Sequence, residues 1–109
     1  MKPSRHYRPW RAVVQDSIRE PAEAAVYLNA AAEQGDSRAF LIALKDVIDV
    51  HGGVSKLARR TKLNRGNLYR MLAGAGFPRL DNLNRVLKAS GLKISITPSK
   101  ASRSKSKAS

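Results

Sequence analysis

Between Ser55 and Leu72 the chain reads SKLARRTKLNRGNLYRML, and two sets of residues interleave within it. Leu57, Ala58, Leu63, Leu68, Met71 and Leu72 recur at helical spacings and suit the inside of two short packed helices. Lys56, Arg59, Arg60, Lys62, Arg65 and Arg70 crowd around them. Such cations bind anions: guanidinium groups fork onto phosphate oxygens or onto the O6/N7 edge of guanine, and an asparagine amide can fork onto the N6/N7 edge of adenine. The plain alternative is an ordinary helical hairpin with a charged, solvated exterior.

The order of residues is that of a helix-turn-helix. A small residue, Ala58, stands where two short helices would cross closely. Leu63 in the turn, with Leu68 and Met71 in the second helix, supplies apolar contacts that fix the angle between them. Asn64 is placed to cap the second helix, which leaves Arg65, Gly66, Asn67, Tyr69 and Arg70 for solvent or a ligand. In such a unit the start of the second helix enters the major groove of double-stranded DNA. Arg65 and Asn67 are then the base readers near its start, with Arg70 or Tyr69 one turn later. Ser55, Lys56, Arg59 and Asn64 lie near helix starts or on the first helix's outer face, where phosphate contacts set register. Lys62 stands in the turn where many such units carry glycine for a positive φ, at a cost on the order of 1 kcal/mol.

The rest of the composition narrows the field. Net charge is +13 over 109 residues, and it is unevenly spread. Residues 20–52 carry six acids against two Lys/Arg, whereas residues 53–97 carry ten Lys/Arg against one acid. That local excess goes beyond what solubility requires and points to a polyanionic partner. There is no cysteine and there are only two histidines, His6 and His51, so neither a metal site nor a cofactor is expected. Gly52-Gly53 and Gly74-x-Gly76 are too short for a phosphate loop, no acid–base pair stands near a candidate nucleophile, and the expectation is that the protein is not an enzyme. Apolar runs fall far short of the roughly 20 residues of a membrane span, and MKPSRHYRPW has no signal-peptide core, so a cytoplasmic location without membrane contact is expected.

Stepping along the chain, residues 1–16 form a basic arm with a possible extended piece at Ala12 to Val14, 17–97 one domain, and 98–109 a low-complexity basic tail. The domain opens with capping-box spacing at Ser17-Ile-Arg-Glu20, then an alanine-rich helix ending near Gly35. Asp36 restarts the chain as the cap of an amphipathic helix ended by Gly52-Gly53, with His51 at its C-terminus, where a partial positive charge suits the helix dipole. The two short helices follow, then a loop at Gly74 to Pro78 and a last helix through Leu80 and Leu87 to Ser90-Gly91. Leu92, Ile94 and Ile96 alternate with Lys93, Ser95 and Thr97, the period of a strand that must pair within the chain or with a second subunit. The expected class is mainly all-α, about five helices with one short C-terminal strand.

From about Glu20 to Ile96, EPAEAAVYLNAAAEQGD, GGVSKLARRTKLNRGNLYRML and VLKASGLKISI resemble the helix-turn-helix antitoxins called addiction-module antidote proteins, related to HigA-type antitoxins. The LNRGNLYRML block carries the likeness most specifically. The resemblance implies a λ-repressor-like DNA-binding domain of the XRE kind, usually a homodimer. It implies a repressor of its own operator and antitoxin of a type II toxin-antitoxin module, neutralising a small basic RelE/ParE-type toxin. The acidic block Glu20, Glu23, Glu33, Asp36, Asp46 and Asp49 could meet such a toxin. A GFP at Gly76 to Pro78 stands where the family more often has GNP. The alternatives are a stand-alone transcriptional regulator with no toxin partner, and an RNA-binding or architectural protein that binds without base preference.

Overall fold

The computed structural model describes residues 10–74 and 76–99, leaving aside the side chains of Trp10, Arg11 and Val14. Six helices follow one another: α1 Trp10–Ser17, α2 Pro21–Glu33, α3 Ser37–Val50, α4 Gly53–Thr61, α5 Arg65–Leu72 and α6 Leu80–Ala89. The fold is all-helical among the described residues, and none of these helices is long and apolar enough to cross a membrane.

The organising element is α3. Asp36 caps it, its carboxylate accepting from the Arg38 backbone N–H at 2.9 Å. Leu41, Leu44, Val47 and Ile48 then recur at three and four residue steps and face inward, Leu44 and Val47 with no exposure at all. α1, α2, α4 and α5 all pack on α3, and α6 packs on α4. α2 brings Ala24, Leu28 and Ala31 to that contact, and the two alanines let the helix axes come close. Asp46 is buried between them, where its carboxylate accepts the Tyr27 hydroxyl at 2.7 Å. Without that bond a buried carboxylate would cost several kcal/mol, roughly, in lost hydration.

Helix ends follow local chemistry. Pro21 forces Glu20 into an extended backbone (φ −79°, ψ 130°), so α2 starts at Pro21 with Glu20 as N-cap. The expected Ser17–Glu20 capping box is therefore absent: Ser17 ends α1 and its hydroxyl donates to Glu23 at 3.5 Å. α6 ends at Ala89 with Ser90 as C-cap, and Gly91 (φ 80°) turns the chain so that the Leu92 N–H returns to the Leu87 carbonyl at 2.8 Å.

Two other expectations need correction. The extended piece at Ala12 to Val14 is helical, because α1 packs against α3 and tertiary contact overrides the preference of a short β-branched pair. Ala12, Gln15 and Ile18 lie three apart and are half-buried, half-buried and buried. The strand at Leu92 to Thr97 does not form: a ladder needs a neighbour, and no second strand exists among the described residues. Ile96 is left 92% exposed and Ile94 37%. The arm and the tail lie outside the described residues, except for the stretch of the arm that becomes α1 and for Pro98 and Ser99.

His51 sits as expected at the C-terminal end of α3, yet its surroundings disfavour charge. Burial lowers its pKa below the usual 6.5, and the Arg60, Arg19 and Lys56 cations lower it further. Its buried Nε2 has no hydrogen-bond partner. The unfolded chain therefore binds the proton more readily than the folded one. Stability is full above the ordinary value near 6.5 and is lost as pH falls through the lower folded value. Denaturant titrations at about pH 7 and about pH 5 should show the wild type losing more stability over that interval than His51→Gln; identical losses would contradict the assignment.

Candidate nucleic-acid interface

α4 and α5 are joined by Lys62, Leu63 and Asn64, and the turn is locked at each position. Thr61 donates its hydroxyl to the Leu57 carbonyl at 2.8 Å and accepts the Leu63 N–H at 3.2 Å. Lys62 takes the left-handed conformation, φ 64° and ψ 15°, and its N–H closes α4 onto the Ala58 carbonyl at 2.9 Å. Asn64 then caps α5, its Oδ1 accepting the Asn67 N–H at 3.0 Å. Underneath, Val54, Leu57, Leu68 and Leu72 are buried, with Ala58, Leu63 and Met71 packed against them. The pair of helices is thus held rigidly on α3 by its apolar side.

Its other side carries the cations. Lys56, Arg59, Asn64, Arg65, Asn67, Tyr69 and Arg70 are exposed and Ser55 is half-buried, so the eight residues read from the sequence fall on two adjoining helices and the turn between them. Arg65 reaches across to α4, donating from Nη1 to the Ser55 hydroxyl at 3.0 Å, which brings the starts of the two helices together. Arg70 leans back along α5 and donates to the Asn67 side-chain oxygen. The Tyr69 ring stands 50% exposed beside them. Lys56 lays its aliphatic stem where a side chain at Gly52 would go: a Cβ there would meet Lys56 Cδ at 2.4 Å.

Among the described residues no carboxylate pairs with this face. Among the described residues the ion pairs are Arg19 with Asp16, Lys45 with Asp49, and Arg79 with Asp81, none of them on α4 or α5. Asp81 is the one acid between residues 53 and 97, and it is occupied by Arg79. Arg60 departs from its neighbours: its guanidinium donates to the Ala89 carbonyl at 3.2 Å and ties α4 to the end of α6. Sequence reading missed that tie, since a contact 29 residues away leaves no local signal, and it also missed the double role of Thr61, which a Thr two residues before the turn's leucine could have signalled.

The acidic block does not form one surface. Asp46 is buried against Tyr27, Asp36 is spent on the cap of α3, and Asp49 pairs with Lys45 at 3.0 Å. Glu23 and Glu33 remain exposed on α2, on the same side as the exposed Val26 and Ala30.

Compared with known proteins, residues 13–98 match the model of a family described as probable addiction module antidote protein. An uncharacterized protein of Haemophilus influenzae is 28% identical over 87 residues, covering 80% of this chain and 89% of its own length. No solved structure matches.

The positive φ at Lys62 sets a test of the turn. Lys62→Gly should stabilise the fold by up to about 1 kcal/mol, whereas Lys62→Ala should not. Equal effects of the two substitutions in a denaturant titration would assign the change to the lost charge and not to the backbone.

Proposed function

The chain belongs to the probable addiction module antidote family, and on that premise we propose that it is the antitoxin of a two-gene module and represses its own operator through α4 and α5. The observation that carries the DNA half of the reading is the exposed row of cations on a rigid two-helix unit with no carboxylate beside it. α5 enters the major groove, a λ-repressor-like placement in which Arg65, Asn67, Tyr69 and Arg70 face base edges. Ser55, Lys56, Arg59 and Asn64 hold phosphates and set the register. A lysine ammonium or arginine guanidinium already paired to a carboxylate would have to surrender it first; these do not.

Dimerisation follows from the same reading. Operators recognised by such units are two-fold, and the alternating Leu92 to Thr97 segment, which pairs with no strand among the described residues, is the piece that would form a ladder with its copy. Toxin neutralisation uses a different helix, α2. Glu23, Val26, Ala30 and Glu33 form an exposed line on α2 that is apolar at its centre and acidic at its ends, suited to a small basic protein of the RelE/ParE kind. The terminal arm and tail add sequence-independent attraction to DNA that salt removes. Catalysis has no part in this reading.

A binding titration against duplex from just upstream of the gene, beside an unrelated duplex of equal length at two salt concentrations, tests the DNA half. The expected preference is about a thousandfold or more and survives at the higher salt. Equal affinities that collapse together would leave only phosphate binding. For the antitoxin half, the expected outcome is copurification of a small basic protein encoded by the neighbouring gene, lost in Val26→Arg; a solitary chain with no such neighbour would favour a stand-alone regulator.

A further inference from the structure

Residues 93–97 are exposed, and among the described residues their backbone makes no hydrogen bond. Both ends of this free stretch are marked. Leu92, before it, packs against the core and spends its N–H on the Leu87 carbonyl at 2.8 Å. Pro98, after it, has no N–H to give. Exposed, unpaired backbone with alternating apolar side chains is a template for another strand, and a second copy of the chain brings a strand of the same length and alternation.

Beside this stretch lies an open groove of about 450 Å³, with Ile94 in its wall. Leu28 of α2, Phe40 of α3, Leu87 of α6 and Phe77 from the loop before α6 also line it. The rings of Phe40 and Phe77 meet there with centroids 6.0 Å apart, yet Phe77 is still 53% exposed. Ile96, two residues beyond Ile94, is 92% exposed and is the side chain that a strand would turn to the same face.

We propose that the groove receives Ile96 of a second copy, through an antiparallel ladder of residues 93–97 with themselves, centred on Ser95. The inference rests on the self-pairing proposed above and adds its register and its receiving surface. Directly opposite residues of an antiparallel pair share a face, so keeping the isoleucines of both copies together requires one residue to stand opposite itself on the two-fold axis. Lys93 on the axis would set two ammonium groups face to face. Ile94 there would draw in Leu92, which is committed to the core, and hold the two Lys93 about 7 Å apart along the strands. Ile96 there would bring Pro98 into the ladder. With Ser95 on the axis the free stretch pairs over its whole length, and the two Lys93 stand about 14 Å apart, beyond the screening length of about 8 Å. Ile94 of each copy then lies opposite Ile96 of the other, so each groove gains an isoleucine and each Ile96 leaves water.

The test is sedimentation equilibrium of the full chain without DNA, beside Ile96→Glu and Ala32→Arg, the latter an exposed position on α2 from which a long side chain fills the groove. Wild type should be a dimer at micromolar concentration, each substitution should weaken it about tenfold or more, and far-ultraviolet circular dichroism should show both variants helical. The chain has no cysteine, so single cysteines report the register. Under mild oxidation Ser95→Cys should crosslink two copies, since residues opposite each other stand roughly 5 Å apart between Cα atoms, and Thr97→Cys, about 14 Å from its copy, should not. A dimer that tolerates either substitution, or that crosslinks through Thr97 and not Ser95, overturns the inference while self-association stands. A wild type that stays monomeric at high micromolar concentration removes the self-pairing and the inference with it, and leaves DNA reading to its own titration.

Discussion

Exclusion of one face of α3 from water is the constraint on which the molecule depends. Leu44 and Val47 have no exposure, and four of the other five helices rest on the helix that carries them. At roughly 25 cal/mol per Å² of apolar surface, this burial is the main source of stability in a chain with no cysteine to staple it. It also settles where α4 and α5 can go, because Val54, Leu57, Leu68 and Leu72 must reach the same core from a pair of very short helices. Helices of nine and eight residues would not hold alone in water. Their persistence comes from packing, the Asn64 cap and the Thr61 lock.

With the apolar residues turned inward, the cations of α4 and α5 other than Arg60, which is tied to the Ala89 carbonyl, stand exposed to solvent or a ligand. The acids that could have neutralised them are committed elsewhere: Asp46 to Tyr27, Asp36 to a helix cap, Asp49 to Lys45, Asp81 to Arg79. Six cations from Lys56 to Arg70 thus stand on one rigid unit with no acid among them, while Glu23 and Glu33 stand exposed on α2. On the proposed reading, that separation lets one small domain offer one face to DNA and another helix to a basic protein.

Much of this was legible in the residues themselves. Asp36 and Asn64 announced two caps, Gly35, Gly52 and Gly91 three stops, and the three- and four-residue apolar steps of α3 its buried face. The strain at Lys62 was legible too, because a turn of that length needs a left-handed residue whatever the side chain. What escaped were properties that depend on distant partners. Trp10–Ser17 is helical because α3 lies beside it. Leu92 to Thr97 has the alternation of a strand and, among the described residues, no neighbour to pair with. Asp46 read as surface acid until Tyr27, 19 residues away, was seen to cover it. His51 was placed correctly at a helix end, but the favourable dipole is outweighed by burial and three nearby cations. Arg59 and Arg60, adjacent and identical, differ only because the Ala89 carbonyl lies within reach of one.

The measurement that bears most directly on the central claim is an amide chemical-shift map of the full chain titrated with duplex DNA from upstream of its gene. The account predicts that the largest changes fall between Ser55 and Arg70, with α2 silent. Changes confined to the basic termini, or centred on α2, would contradict it.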